Sequence, residues 1–346
     1  MTLDPLADRF VGALLGTFAG DALGMPVENW SADHIARTYG TLDHFRTAAL
    51  WLRGYAFIYG SMYDPLHTKA RVPLAKGTYT DDTQMMIAVA ESLLERKGFD
   101  GQHMASRFDR SFDPRRGYGP GTIAAIREIR RGVPWKEVGL KLFKGTGSFG
   151  NGAAMRVVPI SLFCYIQKAD LQEMVTVSAI ITHAHPLGIE GAIVQAVAID
   201  LALHAGMNSE TIDPVGFLNG IRQAVPDLSE VFRKKLAGIE ELLIGNPTVQ
   251  DVVQKLGNNT TAQGSVPAAL YSFLAHHTNF KQAVVYAVSL GGDTDTIGAM
   301  TGAIAGAYHG AAAIPNDWRA AMEDGEKGKT YVERLAIELW QLPAGA

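Results

Sequence analysis

The sequence predicts an all-α fold, in which one compact domain of many helices spans residues 1–346. Apolar residues recur at helical spacing through most of the chain, and no long segment alternates apolar and polar residues as a half-buried strand would. No linker, low-complexity tract or charge run divides the chain. Because 47% of the 346 residues are hydrophobic, the chain can fill one large core.

Helix start and stop signals locate the individual elements. Asp4 is a suitable N-cap and Pro5 suits a first helical turn, so the first helix is predicted from Pro5 towards Gly24. A second clear helix covers about 83–97 and ends at a Lys-Gly pair. Periodicity predicts further helices at about 121–131, 134–143, 170–184, 188–204, 229–244, 264–276, 279–289, 296–310 and 329–340.

The interval from Phe45 to Lys76 differs from the rest of the chain. It is rich in aromatic residues and contains Pro65 and Pro73. We expect a long irregular excursion beside the functional site, which acts as a lid, as an interface patch or as a packed structural loop.

Two predicted helices carry a glycine at every fourth position. Each glycine costs roughly 1 kcal/mol relative to alanine in a helix, and a four-residue spacing puts all of them near one face. We therefore expect close helix packing in the core, with backbone against backbone, and acidic residues lie next to both stripes. The stripes are Gly12, Gly16, Gly20 and Gly24, and Gly298, Gly302, Gly306 and Gly310.

Composition excludes several classes of function. The formal net charge is −4 and the basic residues are spread along the chain, which argues against nucleic-acid binding. The single cysteine, Cys164, lies in an apolar run, and the N-terminus lacks the pattern of a signal peptide, so a cytoplasmic protein is expected. The apolar stretches 187–205 and 298–315 are interpreted as buried core helices rather than membrane spans. We also expect a monomer.

Two acidic turns that contain threonine precede predicted helices. One is Tyr79-Thr80-Asp81-Asp82-Thr83, and the other is the Gly-Gly-Asp-Thr-Asp-Thr-Ile-Gly run over 291–298. Carboxylates and hydroxyls are the hard oxygen ligands that hold Mg²⁺, Mn²⁺ or Ca²⁺ in proteins. Plain helix capping needs only one acceptor, so the doubled acids in both turns favour metal binding.

A third acidic element follows the first helix. Glu28 comes after Pro26 in a segment that we expect to be free to move, and Asp21 lies inside the helix, where it can orient the other acids. A cluster of five carboxylates repels itself unless it is neutralised, which two divalent cations would do. These carboxylates belong to Glu28, Asp81, Asp82, Asp293 and Asp295.

A glycine-rich turn between two helices has the character of a phosphate site. The segment 145–152 reads Gly-Thr-Gly-Ser-Phe-Gly-Asn-Gly, and its backbone N–H groups can bind a diphosphate, although such turns often serve as turns alone. Phe143 and Phe149 flank it and can stack on a base. His183 and His185 are two residues apart, which disfavours a zinc pair on one helix face, and His183 either hydrogen-bonds a ligand or caps the helix.

Four motifs together resemble the ADP-ribosylhydrolase family, also called ADP-ribosylglycohydrolases, over nearly the whole chain. They are Gly-Asp21-Ala-Leu-Gly, Tyr-Thr80-Asp81-Asp82-Thr-Gln-Met, Gly150-Asn-Gly-Ala-Ala-Met-Arg156 and Gly-Gly-Asp293-Thr-Asp295-Thr296-Ile-Gly.

The resemblance implies an all-α fold around a site for two Mg²⁺ ions, with Mn²⁺ as the possible substitute. The metal ligands that it implies are Thr80, Asp81, Asp82, Asp293, Asp295, Thr296 and Glu28, the last as a mobile gate. The ligand-binding residues are Phe143, Gly147, Ser148, Phe149, Gly150, Asn151, Gly152 and His183. We assign the catalytic acids to Glu28, Asp81 and Asp293.

The expected function is hydrolysis of the bond between ADP-ribose and a modified protein or peptide, at the anomeric carbon of the ribose distal to adenine. Within the family, the Arg116-Gly-Tyr-Gly-Pro-Gly121 turn and the 143–152 loop look most like the branch that removes ADP-ribose from serine. Two alternatives remain open at this point. One is an arginine-linked hydrolase of the dinitrogenase-reductase-activating type, and the other is a non-catalytic, crystallin-like protein that binds ADP-ribose.

Overall fold

The computed structural model describes residues 3–51 and 71–344, and within these ranges the predicted all-α class is confirmed. Seventeen α-helices and one two-stranded sheet form the regular structure. The first eight helices are α1 (Pro5–Gly24), α2 (Ala32–Tyr39), α3 (Asp81–Arg96), α4 (Gly101–Ser111), α5 (Pro120–Arg130), α6 (Trp135–Lys141), α7 (Val158–Gln167) and α8 (Leu171–Ala179). The others are α9 (Pro186–Met207), α10 (Pro214–Ala224), α11 (Glu230–Ile244), α12 (Val249–Leu256), α13 (Ala262–Ala275), α14 (Phe280–Ser289), α15 (Thr294–His309), α16 (Asn316–Ala321) and α17 (Lys329–Trp340).

The first helix begins where its capping signals place it. The Asp4 carboxylate accepts hydrogen bonds from the N–H groups of Leu6 and Ala7, and Pro5 occupies the first helical position. A 3₁₀ turn, Met25–Val27, follows the helix directly. Similar 3₁₀ turns lie at Pro114–Arg116, Leu142–Gly145 and Ala311–Ala313.

Helices α1 and α15 pack antiparallel with their glycine stripes in contact. The spacing predicted close backbone packing at each stripe, but not that the two stripes pack on each other. A Cβ atom added to Gly16 would lie 2.1 Å from the carbonyl oxygen of Gly302, and one added to Gly20 would lie 1.9 Å from that of Gly298. No side chain larger than hydrogen fits at these distances. The close approach therefore fixes how the two helices lie relative to each other.

The remaining helices surround this central pair. Helices α9, α13 and α14 pack against α15, while α17 packs against α1. Most of the buried apolar residues form one core, whose largest fully buried side chains include Trp318, Phe10 and Phe232, while Ala125, Val138 and Leu142 form a small second cluster.

The aromatic interval of the sequence contains a short antiparallel ladder at its two ends. Strand β1 (Ala48–Trp51) pairs with β2 (Arg71–Leu74), with Ala48 opposite Leu74. Phe45 is buried against Trp318, with ring centroids 5.7 Å apart. Residues 52–70 lie outside the described residues, so the lid or interface role of this interval stays a prediction.

Several helices differ from the sequence prediction. Periodicity predicted one helix over 170–184, but α8 ends at Ala179 and the chain then turns towards a cavity. The six helices that were not predicted are α2, α4, α7, α10, α12 and α16. Three of them, α2, α12 and α16, have eight residues or fewer. Helices this short are stabilised mainly by tertiary packing, which local signals do not reveal.

Two segments are long and apolar enough to cross a membrane by length and composition. They are Pro5–Val27 and Pro186–Met207, and 94% and 61% of their most apolar windows are buried inside the fold. A buried core helix meets the same criteria, and α1 and α9 both pack within the helical core.

The stripe contact predicts that Gly16→Ala destabilises the protein although alanine is the better helix former. Helix propensity alone would add about 1 kcal/mol of stability. The added methyl group would collide with the Gly302 carbonyl oxygen. Overpacking of this kind costs about 1–3 kcal/mol or more, because backbone cannot move aside as a flexible side chain can. We expect the free energy of unfolding, measured by urea denaturation, to fall by at least 1–2 kcal/mol, on the order that overpacking costs.

Gly325→Ala is the matched control, because a Cβ atom at Gly325 would meet no atom within 4 Å. This variant should stay within about 0.5 kcal/mol of the wild type. A Gly16→Ala protein that is more stable than the wild type would contradict the packing described here.

Candidate active site

A buried carboxylate from α1 holds the start of α3. Asp21 accepts hydrogen bonds from the Thr80 N–H at 2.9 Å, from the Thr83 N–H at 3.1 Å and from the Thr83 hydroxyl at 2.6 Å. The Thr80 side chain caps α3, and its hydroxyl donates to Asp82 Oδ2 at 3.1 Å. Asp21 thus orients the first acidic turn, as the sequence predicted.

The second acidic turn is tied to the segment that follows Glu28. Gly291 and Gly292 have positive φ angles of 70° and 74°, which glycine adopts without strain. The Asn29 N–H donates to Gly292 O at 2.7 Å, and the Gly292 N–H donates to Trp30 O at 2.8 Å. These bonds tie the backbone next to Glu28 to the acidic turn, and the expectation that Glu28 is a mobile gate stays a prediction.

Three carboxylates meet where these elements join. Glu28, Asp293 and Asp295 each have an oxygen atom that lies within 4.8 Å of the others. Asp295 Oδ1 also accepts the Thr296 N–H at 2.9 Å. Asp81 and Asp82 line the same cavity, so the structure brings the five predicted acids together.

Electrostatics make this cluster unfavourable without a partner of positive charge. Burial, followed by the charges of Asp293 and Asp21, raises the pKa of Glu28 to about 7. Burial and neighbouring carboxylates likewise raise the pKa of Asp81, Asp82 and Asp295 well above the ordinary value. No lysine or arginine is among the described residues that line the cavity, and the buried Arg156, whose charge interacts with that of Asp81, is one cation against five carboxylates.

The donor set fits divalent metal ions. Asp82 Oδ1 is buried and has no hydrogen-bond partner among the described residues, which is a costly state for a carboxylate oxygen. Carboxylate oxygens together with the Thr80 and Thr296 hydroxyls are the ligands that hard cations prefer. The residues that are present therefore match a metal site, and the cluster is the part of the chain that could hold a cofactor.

The cavity extends from the acids to the glycine-rich loop and has a volume of about 380 Å³, a size typical of small-molecule sites. Thr80 and Gly147 do not line it: Thr80 lies behind Asp82 as the helix cap, and Gly147 packs against the backbone of His185. The other predicted site residues that line it are Glu28, Asp81, Asp82, Phe143, Ser148, Phe149, Gly150, Asn151, Gly152, His183, Asp293, Asp295 and Thr296.

Pairing with the start of α13 holds the glycine-rich loop in place. The Asn151 N–H donates to Thr260 O at 3.0 Å, and the Ala262 N–H donates to Phe149 O at 2.9 Å. The Gly150 N–H bonds to the Ser148 hydroxyl at 3.1 Å. The N–H groups of Ser148 and Phe149 have no acceptor among the described residues, so part of the loop, rather than all of it, can bind an anion.

Asn151 connects the loop to the acidic cluster. Its side-chain nitrogen donates to Asp293 and to the Ser265 hydroxyl, the latter at 3.0 Å. We predicted that Asn151 binds the ligand. The structure places Asn151 in the cavity wall, but its side-chain nitrogen is bonded to other protein groups. Its observed contacts orient Asp293.

Phe143 and Phe149 lie at the cavity with 56% and 46% of their surface exposed, which is unusual for large apolar side chains. Phe143 adopts a left-handed backbone conformation with φ of 50°, and its ring lies against Gly121 at the start of α5. Phe149 contacts His185 edge to face, with ring centroids 5.5 Å apart. Two exposed aromatic rings on one cavity suit the binding of a flat, apolar ring.

Sequence reasoning missed several lining residues. The 116–121 turn was noticed for its glycines but was not assigned to the site, and its position before a helix was the available signal. Thr260 and Thr261 had no local signal, because only their pairing with the glycine-rich loop brings them to the cavity. The lining residues that were not predicted are Gly117, Gly119, Pro120, Gly121, Thr122, Met155, Thr260 and Thr261.

Comparison with known proteins agrees with this geometry. The family model described as ADP-ribosylglycohydrolase matches residues 2–346. The ADP-ribosylhydrolase ARH3 of Homo sapiens is 39% identical over 74% of this chain and 78% of its own, and that of Mus musculus is 34% identical over 94% of this chain and 90% of its own. A solved structure of an ADP-ribosylglycohydrolase-related protein complex superposes with a TM-score of 0.71 at 29% identity, covering 98% of this chain and 99% of that one. The chain therefore belongs to the ADP-ribosylglycohydrolase family.

Proposed function

We propose that this protein hydrolyses the bond between ADP-ribose and a modified side chain of a protein or peptide, with an O-linked, serine-type bond as the substrate. The observation that carries the proposal is that one cavity is lined by a buried carboxylate cluster, the glycine-rich loop and two exposed phenylalanines. The relatives named ADP-ribosylhydrolase ARH3 support the same activity.

Each part of the cavity matches one part of ADP-ribose. The exposed rings of Phe143 and Phe149 can stack on adenine. The unpaired N–H groups of Ser148 and Phe149 can bind the diphosphate, because backbone donors in a glycine-rich turn favour anions. The carboxylate end is then left for the distal ribose, whose anomeric carbon carries the bond to be cut.

The carboxylates act in this proposal as ligands for two Mg²⁺ ions, with Mn²⁺ as a substitute. The residues that would hold them are Glu28, Thr80, Asp81, Asp82, Asp293, Asp295 and Thr296. When bound, the metal ions supply positive charge that orients the ribose hydroxyls and activates water. Among the chain's own groups, Asn151 holds Asp293 in place and Asp21 holds the Thr80 turn.

Glu28, Asp81 and Asp293 are the proposed catalytic acids. Carboxylates in this position can move protons and stabilise the positive charge that develops on the sugar ring as the bond breaks. Glu28 is half-buried, as Asp81 is, and its side chain bonds only to the exposed Asn29 at 3.0 Å among the described residues. In this proposal the Glu28 side chain moves when a substrate enters.

The alternatives are weaker on present observations. An arginine-linked hydrolase of the dinitrogenase-reductase-activating type shares the carboxylates, so only the leaving group distinguishes it. A non-catalytic, crystallin-like role would not explain why five carboxylates are clustered at an energetic cost.

We further propose a cytoplasmic monomer that acts on ADP-ribosylated proteins without contacting nucleic acid or membranes. Burial raises the pKa of the lone Cys164 to about 12, so its thiol stays protonated and unreactive.

Side-by-side turnover of two modified peptides tests the proposal. We expect release of ADP-ribose from a serine-modified peptide in Mg²⁺, no release in excess EDTA, and recovery when Mg²⁺ is restored, because the cluster needs its cations. Turnover of the arginine-modified peptide should be at least 100-fold slower, a difference of about 3 kcal/mol in the barrier. Preference for arginine would transfer the assignment to the alternative branch, and full activity in EDTA would contradict the metal site.

Phenylalanine replacement tests the adenine position. Phe143→Ala or Phe149→Ala should weaken ADP-ribose binding by about 1–3 kcal/mol, as loss of base stacking does in other sites. Ribose-5-phosphate contains no base, so calorimetry should find its affinity unchanged. The exposed Ile244 provides a control, since Ile244→Ala removes an apolar side chain that does not line the cavity. Equal losses for both ligands would mean that the rings only maintain the loop.

A further inference from the structure

A buried chain of hydrogen bonds ends at the cavity wall beside the glycine-rich loop. Arg156 is 1% exposed, and it donates from Nη1 to Gly152 O and from Nη2 to the Thr182 hydroxyl, both at 2.7 Å. The Thr182 hydroxyl lies 2.7 Å from His183 Nδ1. Thr182 is fully buried and His183 is 5% exposed, so neither residue can exchange these partners for bulk water.

The chemistry of the groups sets the direction of this chain. A guanidinium group only donates, so Thr182 accepts from Arg156. The Thr182 hydroxyl hydrogen then needs an acceptor, and His183 Nδ1 is the remaining partner among the described residues. If Nδ1 carried a proton and donated instead, the hydroxyl hydrogen would be buried without an acceptor, which folded proteins avoid.

A neutral imidazole whose Nδ1 accepts must carry its proton on Nε2. Burial and the charge of Arg156 lower the pKa of His183 to about 3, so the ring is neutral at physiological pH. Nε2 lies beside the loop: a Cβ atom on Gly152 would be 2.9 Å from it, and one on Gly150 would be 3.3 Å away. No described residue accepts from Nε2, and His183 lines the cavity.

We infer that Arg156 and Thr182 are positioning residues that fix His183 as the Nε2–H tautomer, which presents one neutral hydrogen-bond donor to an oxygen of the bound ligand. The identity of that ligand as an ADP-ribose conjugate rests on the proposed function, whereas the tautomer is a property of the free protein. With its proton on Nε2, His183 can neither coordinate a metal through that atom nor accept a proton there. Its contribution is to ligand binding.

The tautomer can be measured directly, without substrate or metal. Long-range ¹H–¹⁵N correlation spectra of the ¹⁵N-histidine-labelled full chain distinguish a protonated Nε2 from a protonated Nδ1, and His183→Asn identifies the His183 signals. We expect Nε2 to be protonated and Nδ1 to be bare. A protonated Nδ1 in the wild-type protein would overturn the inference, whatever the protein's catalytic activity.

Threonine variants test the positioning role. Thr182→Val keeps the shape and removes the hydroxyl, so His183 should lose its single tautomer and ADP-ribose affinity should fall about tenfold, the typical effect of one hydrogen bond. Thr182→Ser keeps the hydroxyl, so this variant should retain the single His183 tautomer and the wild-type affinity for ADP-ribose. Thr176→Val is the control, because the Thr176 hydroxyl bonds only to a backbone carbonyl, that of Gln172 at 2.7 Å, and both readouts should match the wild type.

The outcomes separate this inference from the proposed function. If Thr182→Val leaves the tautomer and the ADP-ribose affinity unchanged, Thr182 does not position His183 and the inference fails. If Thr182→Val does not fold, the wild-type spectrum and the Thr182→Ser variant still decide the tautomer. A protein that has the expected tautomer but does not release ADP-ribose from peptides would refute the proposed function alone.

Discussion

The close contact between α1 and α15 is the constraint on which the site depends. Because the two helices are antiparallel, the C-terminal end of α1 meets the N-terminal end of α15. A Cβ atom on Gly24 would lie 2.3 Å from Thr294 O, and the Thr294 hydroxyl donates to Gly24 O at 2.8 Å. This contact brings the residues that follow α1, including Glu28, to the acidic turn at 293–296. The glycines thus serve the site as well as the core, and the propensity cost of each is offset by backbone packing.

The same arrangement explains how five carboxylates are tolerated in a folded protein. Asp82 and Asp295 lie in the first turns of α3 and α15, where helix dipoles stabilise negative charge. That effect is small beside the burial of these acids and the repulsion between them, which together raise the pKa of Asp81 and Asp295 well above the ordinary value. Divalent cations would neutralise the negative charge that the helix dipoles leave uncompensated. Stability and function are therefore linked through metal binding, since an ion that binds only the folded state also stabilises it.

Local signals in the sequence predicted the features that local chemistry determines. The helix class, the glycine stripes and both acidic turns follow from spacing and capping, and each lies where it was expected. The end of α8 at Ala179 was not predicted by periodicity, and the lining role of Thr261 did not follow, because it depends on pairing with Gly150 in a distant segment. The pairing of the segment after Glu28 was missed for the same reason: Pro26 suggests an open loop, but Ser31 forms an isolated bridge with Gly291, which is 260 residues away in the sequence.

The central claim is that the carboxylate cluster is a binding site for two divalent cations, and counting bound metal tests it most directly. Mn²⁺ would be titrated calorimetrically into chelator-treated protein at neutral pH. The account predicts saturable binding of two ions per chain, with one of them weakened by Glu28→Gln and neither affected by the exposed control Glu230→Gln. A chain that binds no Mn²⁺, or binds it identically after Glu28→Gln, would contradict the account.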